Sequence, residues 1–469
     1  MFYRPEDGVA ADVIPYYENG TYYLFYLKDY RDFARHGEGC PWHLLTTNDL
    51  VNYEDHGIVL ERGSFSEQDL YVFTGSVFRG KDQYYIFYTG HNPHFPYEGK
   101  PQEKILLAVS DDLLHWKKVK DFSLSAPEWY DPHDFRDPFV YFDEGRGVYR
   151  MLLAARTKIG PADRNGVTAV AESDDLLHWQ VLREPFYAPG SYFTHECPDF
   201  FRLGDWYYLI FSEFSDKIAT RYRMSRSPDG PWITPANDTF DGHCFYAAKT
   251  CENGDGKRIA FGWNCIRNEE KDDGIWQWGG TIIPHELVQN ADGTLSVRCP
   301  AAVAAAYAQS FEYREEMRFG TCVCGDKIRL GDPNASSLIL FSEMPDNCKI
   351  TARIRLERSG KDFGLLLRSD AAAEKYYKVK IEPAYHRMAM DRTPRTLSFR
   401  HCEVETERRL TVHEGDTLDF TVIVEGSVLE VYVGGVAMGA RMFDFPQGRF
   451  GFYAEHCVIT VSDIALYRK

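Results

Sequence analysis

The sequence predicts an all-β chain, a five-bladed β-propeller followed by a C-terminal β-sandwich. Three observations carry that expectation. An aromatic strand following a turn recurs five times in the first 265 residues. A turn segment recurs with it at a spacing near 60, and the last third of the chain alternates apolar and polar residues with period two. Long helical patterns are absent, which disfavours a doubly wound α/β fold.

The strand unit reads Gly20-Thr-Tyr-Tyr-Leu-Phe-Tyr26, then Asp82-Gln-Tyr-Tyr-Ile-Phe-Tyr88, Val148-Tyr-Arg-Met-Leu-Leu153, Asp205-Trp-Tyr-Tyr-Leu-Ile-Phe211 and Lys257-Arg-Ile-Ala-Phe-Gly-Trp263. The turn unit reads Asn48-Asp-Leu-Val-Asn-Tyr53, Ser110-Asp-Asp-Leu-Leu-His-Trp116, Ser173-Asp-Asp-Leu-Leu-His-Trp179 and a looser Ser227-Pro-Asp-Gly-Pro-Trp232. A large irregular β-sandwich is the alternative for this region, and two near-identical SDDLLHW segments at matching offsets disfavour it. An Ala-rich stretch, Cys299-Pro-Ala-Ala-Val-Ala-Ala-Ala-Tyr-Ala-Gln-Ser310, breaks the pattern and reads as a short helix or linker. Beyond it, segments such as Cys348-Lys-Ile-Thr-Ala-Arg-Ile-Arg-Leu356 and Val428-Leu-Glu-Val-Tyr-Val433 alternate as sandwich strands do. The expected division is therefore a propeller over 1–298, a linker over 299–311 and a sandwich over 312–469.

Composition narrows the function classes. Hydrophobic residues make up 44% of 469, enough for a sizeable core, and the formal charge is −17. That acidity argues against nucleic acid and anionic membrane surfaces as partners. Apolar runs are strand-sized and the N-terminus shows no cationic start before an apolar stretch, so no membrane span or signal peptide is expected. Eleven scattered cysteines then read as reduced thiols in a cytoplasmic protein, with Cys322-Val-Cys324 structural. Aromatic residues at 15% suit both pleated strands and stacking on sugar rings.

Candidate chemistry lies where the innermost strand of each blade begins. Asp12, Asp137 and Glu196 each sit five residues before the second member of an aromatic or apolar pair, at Tyr17, Phe142 and Phe201. If the blades superpose, three acids from distant sequence converge. Crowded carboxylates in a low-dielectric pocket push their pKa values apart, which is what glycoside hydrolysis needs. Arg136 stands beside Asp137. Trp42, Phe73 and Trp263 are candidates for a sugar platform, and His195 adjoins Glu196. Asp199, Asp111, Asp112, Asp174 and Asp175 read as turn formers. No nucleotide, zinc, calcium or serine-hydrolase motif stands in a supporting context, so no cofactor and no metal are expected, and the partner is a small carbohydrate.

Phe135-Arg136-Asp137-Pro138 and His195-Glu196-Cys197-Pro198 resemble the RDP and ECP motifs of glycoside hydrolase family 32, the invertase–levanase–inulinase group. Cys40-Pro-Trp42, Phe73-Thr-Gly-Ser76, Phe245-Tyr-Ala-Ala-Lys-Thr250 with Phe261-Gly-Trp263, and Ile283-Pro-His-Glu-Leu287 are similar to further segments of that family. The resemblance implies a retaining β-fructofuranosidase. Asp12 would be the nucleophile, Glu196 the acid/base, and Asp137 with Arg136 would bind the fructosyl hydroxyls and steady the transition state. Trp42, Phe73, Ser76, His195, Tyr246 and Trp263 would contact substrate. Three departures predict an altered specificity: Val9-Ala-Ala-Asp-Val-Ile14 keeps only the Asp of the family's first motif, Leu27 replaces an amide, and Cys244 replaces an acid. The alternatives are an inverting arabinofuranosidase- or xylosidase-like propeller hydrolase and a catalytically silent carbohydrate-binding protein.

Overall fold

A computed structural model describes residues 1–243, 245–391 and 404–469; Cys244 lies outside the described residues. The chain forms two compact units. The first holds Met1–Thr239, Phe245–Cys265 and Trp278–Leu295, and the second holds Ser296–Lys469 together with short inserts, among them Ile266–Gln277.

The first unit is the propeller. Blade one is β1 (Val9–Glu18), β2 (Thr21–Asp29), β3 (Trp42–Thr47) and β4 (Glu54–Leu60). Blade two is β5 (Tyr71–Arg79), β6 (Tyr84–His91), β7 (Glu103–Ser110) and β8 (Lys117–Lys118). Blade three is β9 (Tyr130–Asp143), β10 (Val148–Thr157), β11 (Gly166–Ser173) and β12 (Gln180–Val181). Blade four is β13 (Glu196–Leu203), β14 (Trp206–Glu213) and β15 (Ala219–Ser225), and blade five is β16 (Phe245–Glu252), β17 (Arg258–Arg267) and β18 (Trp276–Gln289). Neighbouring strands within each blade pair antiparallel among the described residues, and β18 also pairs with β1 through Ala10 and Gly280. The innermost strands pack in the order β1, β5, β9, β13, β16, and β16 meets β1 again.

The repeated turn has a repeated physical cause. The hydroxyls of Thr47, Ser110 and Ser173 accept from the backbone N–H three residues on, at Leu50, Leu113 and Leu176. Those leucines take φ of 61°, 67° and 69°, and the oxygens of the Asp just before each, Asp49, Asp112 and Asp175, accept from the backbone N–H groups three residues on. The aromatic residue closes each turn on the leucine carbonyl, with Trp116 and Trp179 donating at 3.0 and 2.9 Å. The Trp ring then packs on the preceding blade, Trp116 on Phe25 and Trp179 on Phe87, at 5.8 and 5.5 Å. Each segment is thus a turn and a blade-to-blade contact at once, which is why it recurs once per blade. Asp112 and Asp175 act in turns as expected, but Asp199 does not. It lies inside β13, where its carboxylate accepts from the backbone N–H and hydroxyl of Thr250 on β16 at 2.6 and 2.7 Å.

The second unit is a sandwich of two antiparallel sheets. One runs from Cys322–Cys324 through Ile328–Leu330, Val458–Arg468, Asn347–Arg358, Thr417–Glu425 and Val428–Val433 to Val436–Arg441. The other includes Ser336–Glu343, Arg449–Glu455, Asp362–Ser369 and Tyr377–Glu382. Their inner faces meet in a core that includes Ile350, Ile354, Leu365, Val422 and Phe452. The Ala-rich stretch forms the helix Ala301–Ala306.

Candidate active site

Every innermost strand of the propeller carries a β-bulge near its start. The ladder slips by one residue around Asp12, Thr74, Asp137–Pro138, Cys197–Pro198 and Ala247–Ala248. Asp12, Asp137, Cys197 and Ala247 take positive φ of 24°, 57°, 52° and 52°. A bulge re-aims a side chain that a regular pleat would send into the blade-to-blade packing. Asp12 and Asp137 therefore share one register. Glu196 corrects the reading from spacing: its blade places Cys197 at the bulge, and Glu196 stands one residue earlier, at the position Arg136 holds in blade three.

Hydrogen bonds then join all five blades. Thr74 of blade two donates to Asp12 Oδ2 at 2.5 Å. The Asp137 N–H donates to Thr89 Oγ1 of blade two at 2.8 Å, and the Cys197 N–H of blade four donates to Asp137 Oδ2 at 2.9 Å. Tyr246 of blade five donates to Glu196 Oε2 at 2.5 Å, and Trp263 Nε1 of the same blade returns to Asp12 Oδ1 at 3.0 Å. Arg136 spans the acids, 2.9 Å from Glu196 Oε1 and 3.8 Å from Asp137 Oδ2, and also pairs with Asp134 and Glu103. Both oxygens of Asp12 and both of Glu196 thus have fixed donors, so neither carboxyl is free to rotate.

Burial dominates the titration of the three acids. It pushes Asp12 above the usual carboxylate range, against the donors Thr74 and Trp263, with the charge of Glu196 adding to the rise. It pushes Asp137 up to about 6 despite Arg136. It raises Glu196 too, against Arg136 and Tyr246. Glu103 departs from this trend, because Arg136 and His91 outweigh its burial and hold it low. The Glu196 side chain keeps 21% of its surface exposed against 5% for Asp137, so a proton on Glu196 is accessible to an incoming oxygen.

The remaining sequence candidates separate. Arg136, Tyr246 and Trp263 touch the acids. Phe73 precedes Thr74 and lies in a stacked pair with His91 at 4.3 Å. Trp42 is fully buried between blades one and two, its Nε1 donating to the carbonyls of Val72 and Phe73. Ser76 Oγ accepts from the Val140 N–H at 3.0 Å and so joins blades two and three. His195 is fully buried, stacked on Phe211 at 4.3 Å and within 3.2 Å of Thr168 Oγ1, and burial pushes its imidazole down to about 3. These three side chains are turned into the blades, not toward the acids. The sequence reading passed over Thr74, Thr89 and Lys249. Thr74 had a signal: it stands in blade two where Asp12 stands in blade one. Lys249 is buried and donates to the Pro198 carbonyl, two residues from Glu196, at 2.7 Å.

Residues 4–297 match the family model described as Glycosyl hydrolases family 32 N-terminal domain, and residues 330–468 match Glycosyl hydrolases family 32 C terminal. The chain belongs to glycosyl hydrolase family 32. It is a glycosidase by that membership. It is 24% identical to a sucrose-6-phosphate hydrolase of Escherichia coli, over 96% of this chain and 90% of that one. Its fold is that of the sucrose-6-phosphate hydrolase from Lactobacillus gasseri, with a TM-score of 0.73 at 18% identity over 100% of this chain and 92% of that one. It is likewise that of fructan 1-exohydrolase IIa from Cichorium intybus in complex with 1-kestose, with a TM-score of 0.75 at 15% identity over 100% and 96%.

Proposed function

We propose that this family 32 glycosidase is a retaining β-fructofuranosidase that cleaves the fructosyl linkage of sucrose or short fructo-oligosaccharides. The arrangement of Asp12 opposite Glu196 carries the reading. Trp263 on Asp12 and Tyr246 on Glu196 are ring neighbours at 5.4 Å, so the two carboxyls face one space from the first and fourth blades. Asp12 attacks the anomeric carbon while Glu196 gives its proton to the leaving oxygen. Water then breaks the glycosyl–Asp12 ester as Glu196 takes the proton back. Asp137 and Arg136 hold the fructosyl hydroxyls, and the acids together stabilise the cationic, oxocarbenium-like centre. Phe73 and Trp263 give the sugar an aromatic wall.

The curated relatives' names and the 1-kestose complex support a small fructosyl sugar as substrate. Among the described residues no helix is long and apolar enough to cross a membrane. The free thiols of Cys40, Cys197, Cys251 and Cys348 support a reducing compartment, and we place the enzyme in the cytoplasm. We keep the division into 1–298, 299–311 and 312–469 as catalytic unit, linker and sandwich. NMR of the first-formed anomer during sucrose hydrolysis tests the mechanism. Retention is expected. An inverted first product would overturn the role of Asp12 as nucleophile.

A further inference from the structure

The β-bulge of blade four is the piece of backbone on which the acids meet. Its Cys197 N–H donates to Asp137 Oδ2 at 2.9 Å, its Cys197 thiol donates to Asp12 Oδ2 at 3.8 Å, and Glu196 leads into it. The ladder between β13 and β14 pairs Glu196 with Ser212 and Asp199 with Ile210, so Cys197 and Pro198 have no partner in it. Proline has no N–H to offer, and a carbonyl left unpaired in the interior costs free energy. The Pro198 carbonyl is met instead from the neighbouring blade, by Lys249 Nζ at 2.7 Å.

Strand β16 grips this bulge from both sides of its own. Before the β16 bulge, Tyr246 donates to Glu196 Oε2. After it, Lys249 donates to the Pro198 carbonyl, and Thr250 gives its N–H and hydroxyl to Asp199. Lys249 brings a full charge to a backbone carbonyl, where a neutral donor would serve. It is 2% exposed. Among the described residues its ammonium has no ion pair, only that carbonyl and the Phe139 ring, whose centroid lies 5.2 Å from Nζ. Burying a charge is expensive unless other charges compensate it. Here burial pushes the ammonium down, and Cys197, Asp199, Asp137 and Asp12 oppose that fall. The compensation is spread over the acids of the site, and the field of the cation acts back on them.

We infer that Lys249 is a positioning residue of this active site, one that fixes the blade-four bulge and supplies the carboxylates with a buried positive charge. The inference rests on the reading of Asp12 as nucleophile and Glu196 as acid/base, and the test separates the two. The titratable groups around Asp12 are Glu196 and Cys197 of β13, Asp137 of β9, Tyr246 of β16 and Cys40 ahead of β3. The cations are Arg136, which pairs with Glu196 and Asp137, and Lys249. Removing the Lys249 charge therefore makes ionised Asp12 harder to hold, which moves its titration upward.

The experiment compares wild type with Lys249→Met, which removes charge and donor, and with Lys249→Gln, which removes the charge and keeps a donor. Turnover of sucrose is followed against pH, with urea unfolding alongside. Lys249→Met is expected to lower kcat at least tenfold and to change KM less than about threefold, because a misplaced bulge moves the acid/base. Both variants should move the acid limb of kcat/KM upward by about half a unit or more, since both lose the cation. A residue that merely fills the interior would lose unfolding stability and leave kcat and the limb of the folded protein unmoved. That result overturns the inference. If neither variant folds, Asp199→Asn decides. It keeps Lys249 and removes a carboxylate that faces it, so the limb should move downward, and a limb that stays in place overturns the inference. If wild type hydrolyses neither sucrose nor 1-kestose, the β-fructofuranosidase reading fails. Carboxyl 13C NMR titration of Asp12 in wild type and in Lys249→Gln then replaces the assay, and an Asp12 titration unchanged by the substitution overturns the inference.

Discussion

Asp12 and Glu196 differ in what surrounds them, and that difference fits the tasks proposed for them. Asp12 is held through both oxygens by Thr74 and Trp263, which fixes the orientation of its carboxyl and favours its charged form against the burial that opposes it. Glu196 shares its oxygens between Arg136 and Tyr246 and keeps some solvent contact. Asp12→Asn should reduce kcat at least a thousandfold with unchanged far-UV circular dichroism, because a neutral amide cannot form the ester. Glu196→Gln should cost least on aryl fructosides with good leaving groups and most on sucrose, a split that turnover of both substrates reads directly. Asp12 is not marked by its immediate neighbours, whereas Glu196 stands in the motif His195-Glu196-Cys197-Pro198. In the sequence they stood out by repeating at the start of blades, whereas Lys249 and Thr89, with no chemistry-bearing pattern around them, did not.

At the scale of the strand, the bulge decides which side chains face the acids. In β5, Thr74 sits on the bulge and reaches Asp12, while Ser76, two residues on, is buried and ties Val140 of the next blade. The motif Phe73-Thr-Gly-Ser76 shows two hydroxyls, and only pleat and bulge tell them apart. Thr74→Val should lower kcat/KM on the order of tenfold or more, the worth of one hydrogen bond to a charged group, and move the acid limb of the pH profile upward. Ser76→Ala should leave kcat close to wild type while orphaning the Val140 N–H, a loss of about 1–3 kcal/mol in urea unfolding. Reversal of these two phenotypes would show that the hydroxyls had been exchanged. Gly75 between them is required by space, since a Cβ there would come within 2.0 Å of the Phe87 carbonyl oxygen.

Across the whole catalytic unit, the ring of hydrogen bonds makes the acids part of what joins the blades, and their titration part of its stability. Asp137, raised to about 6 chiefly by burial, holds its proton in the folded protein where the unfolded chain has already lost it. That contribution is complete below about pH 4 and is lost as the pH climbs through 6. Asp137→Asn should therefore gain stability relative to wild type at pH 7, on the order of 1–3 kcal/mol, and the gain should vanish by pH 4. Urea unfolding at the two pH values checks it. Activity should be bell-shaped, since the proposed mechanism needs Asp12 ionised and Glu196 protonated. Because both are raised, both limbs should lie above the ranges of free carboxyls, giving an optimum on the mildly acidic side of neutral. A flat pH–rate profile would contradict the acid pair.

The amino-acid sequence by itself determined the all-β class, the blade repeat and which three acids stand near the start of innermost strands, because each is a local or periodic property. The aromatic strands of five blades, the Ser-Asp-Asp turns of two and the carboxylates near the start of three innermost strands recur whether or not the blades are assembled. Tertiary structure alone decided which residues meet. It set Glu196 one residue out of register with Asp12 and Asp137, and it turned Trp42, Ser76 and His195 into the blades. It also brought Thr74, Tyr246 and Trp263 from three different strands onto two carboxyls. These outcomes depend on bulges and on contacts between innermost strands about 60 residues apart, and single-residue slips of a pleated strand exchange its faces without any change in composition.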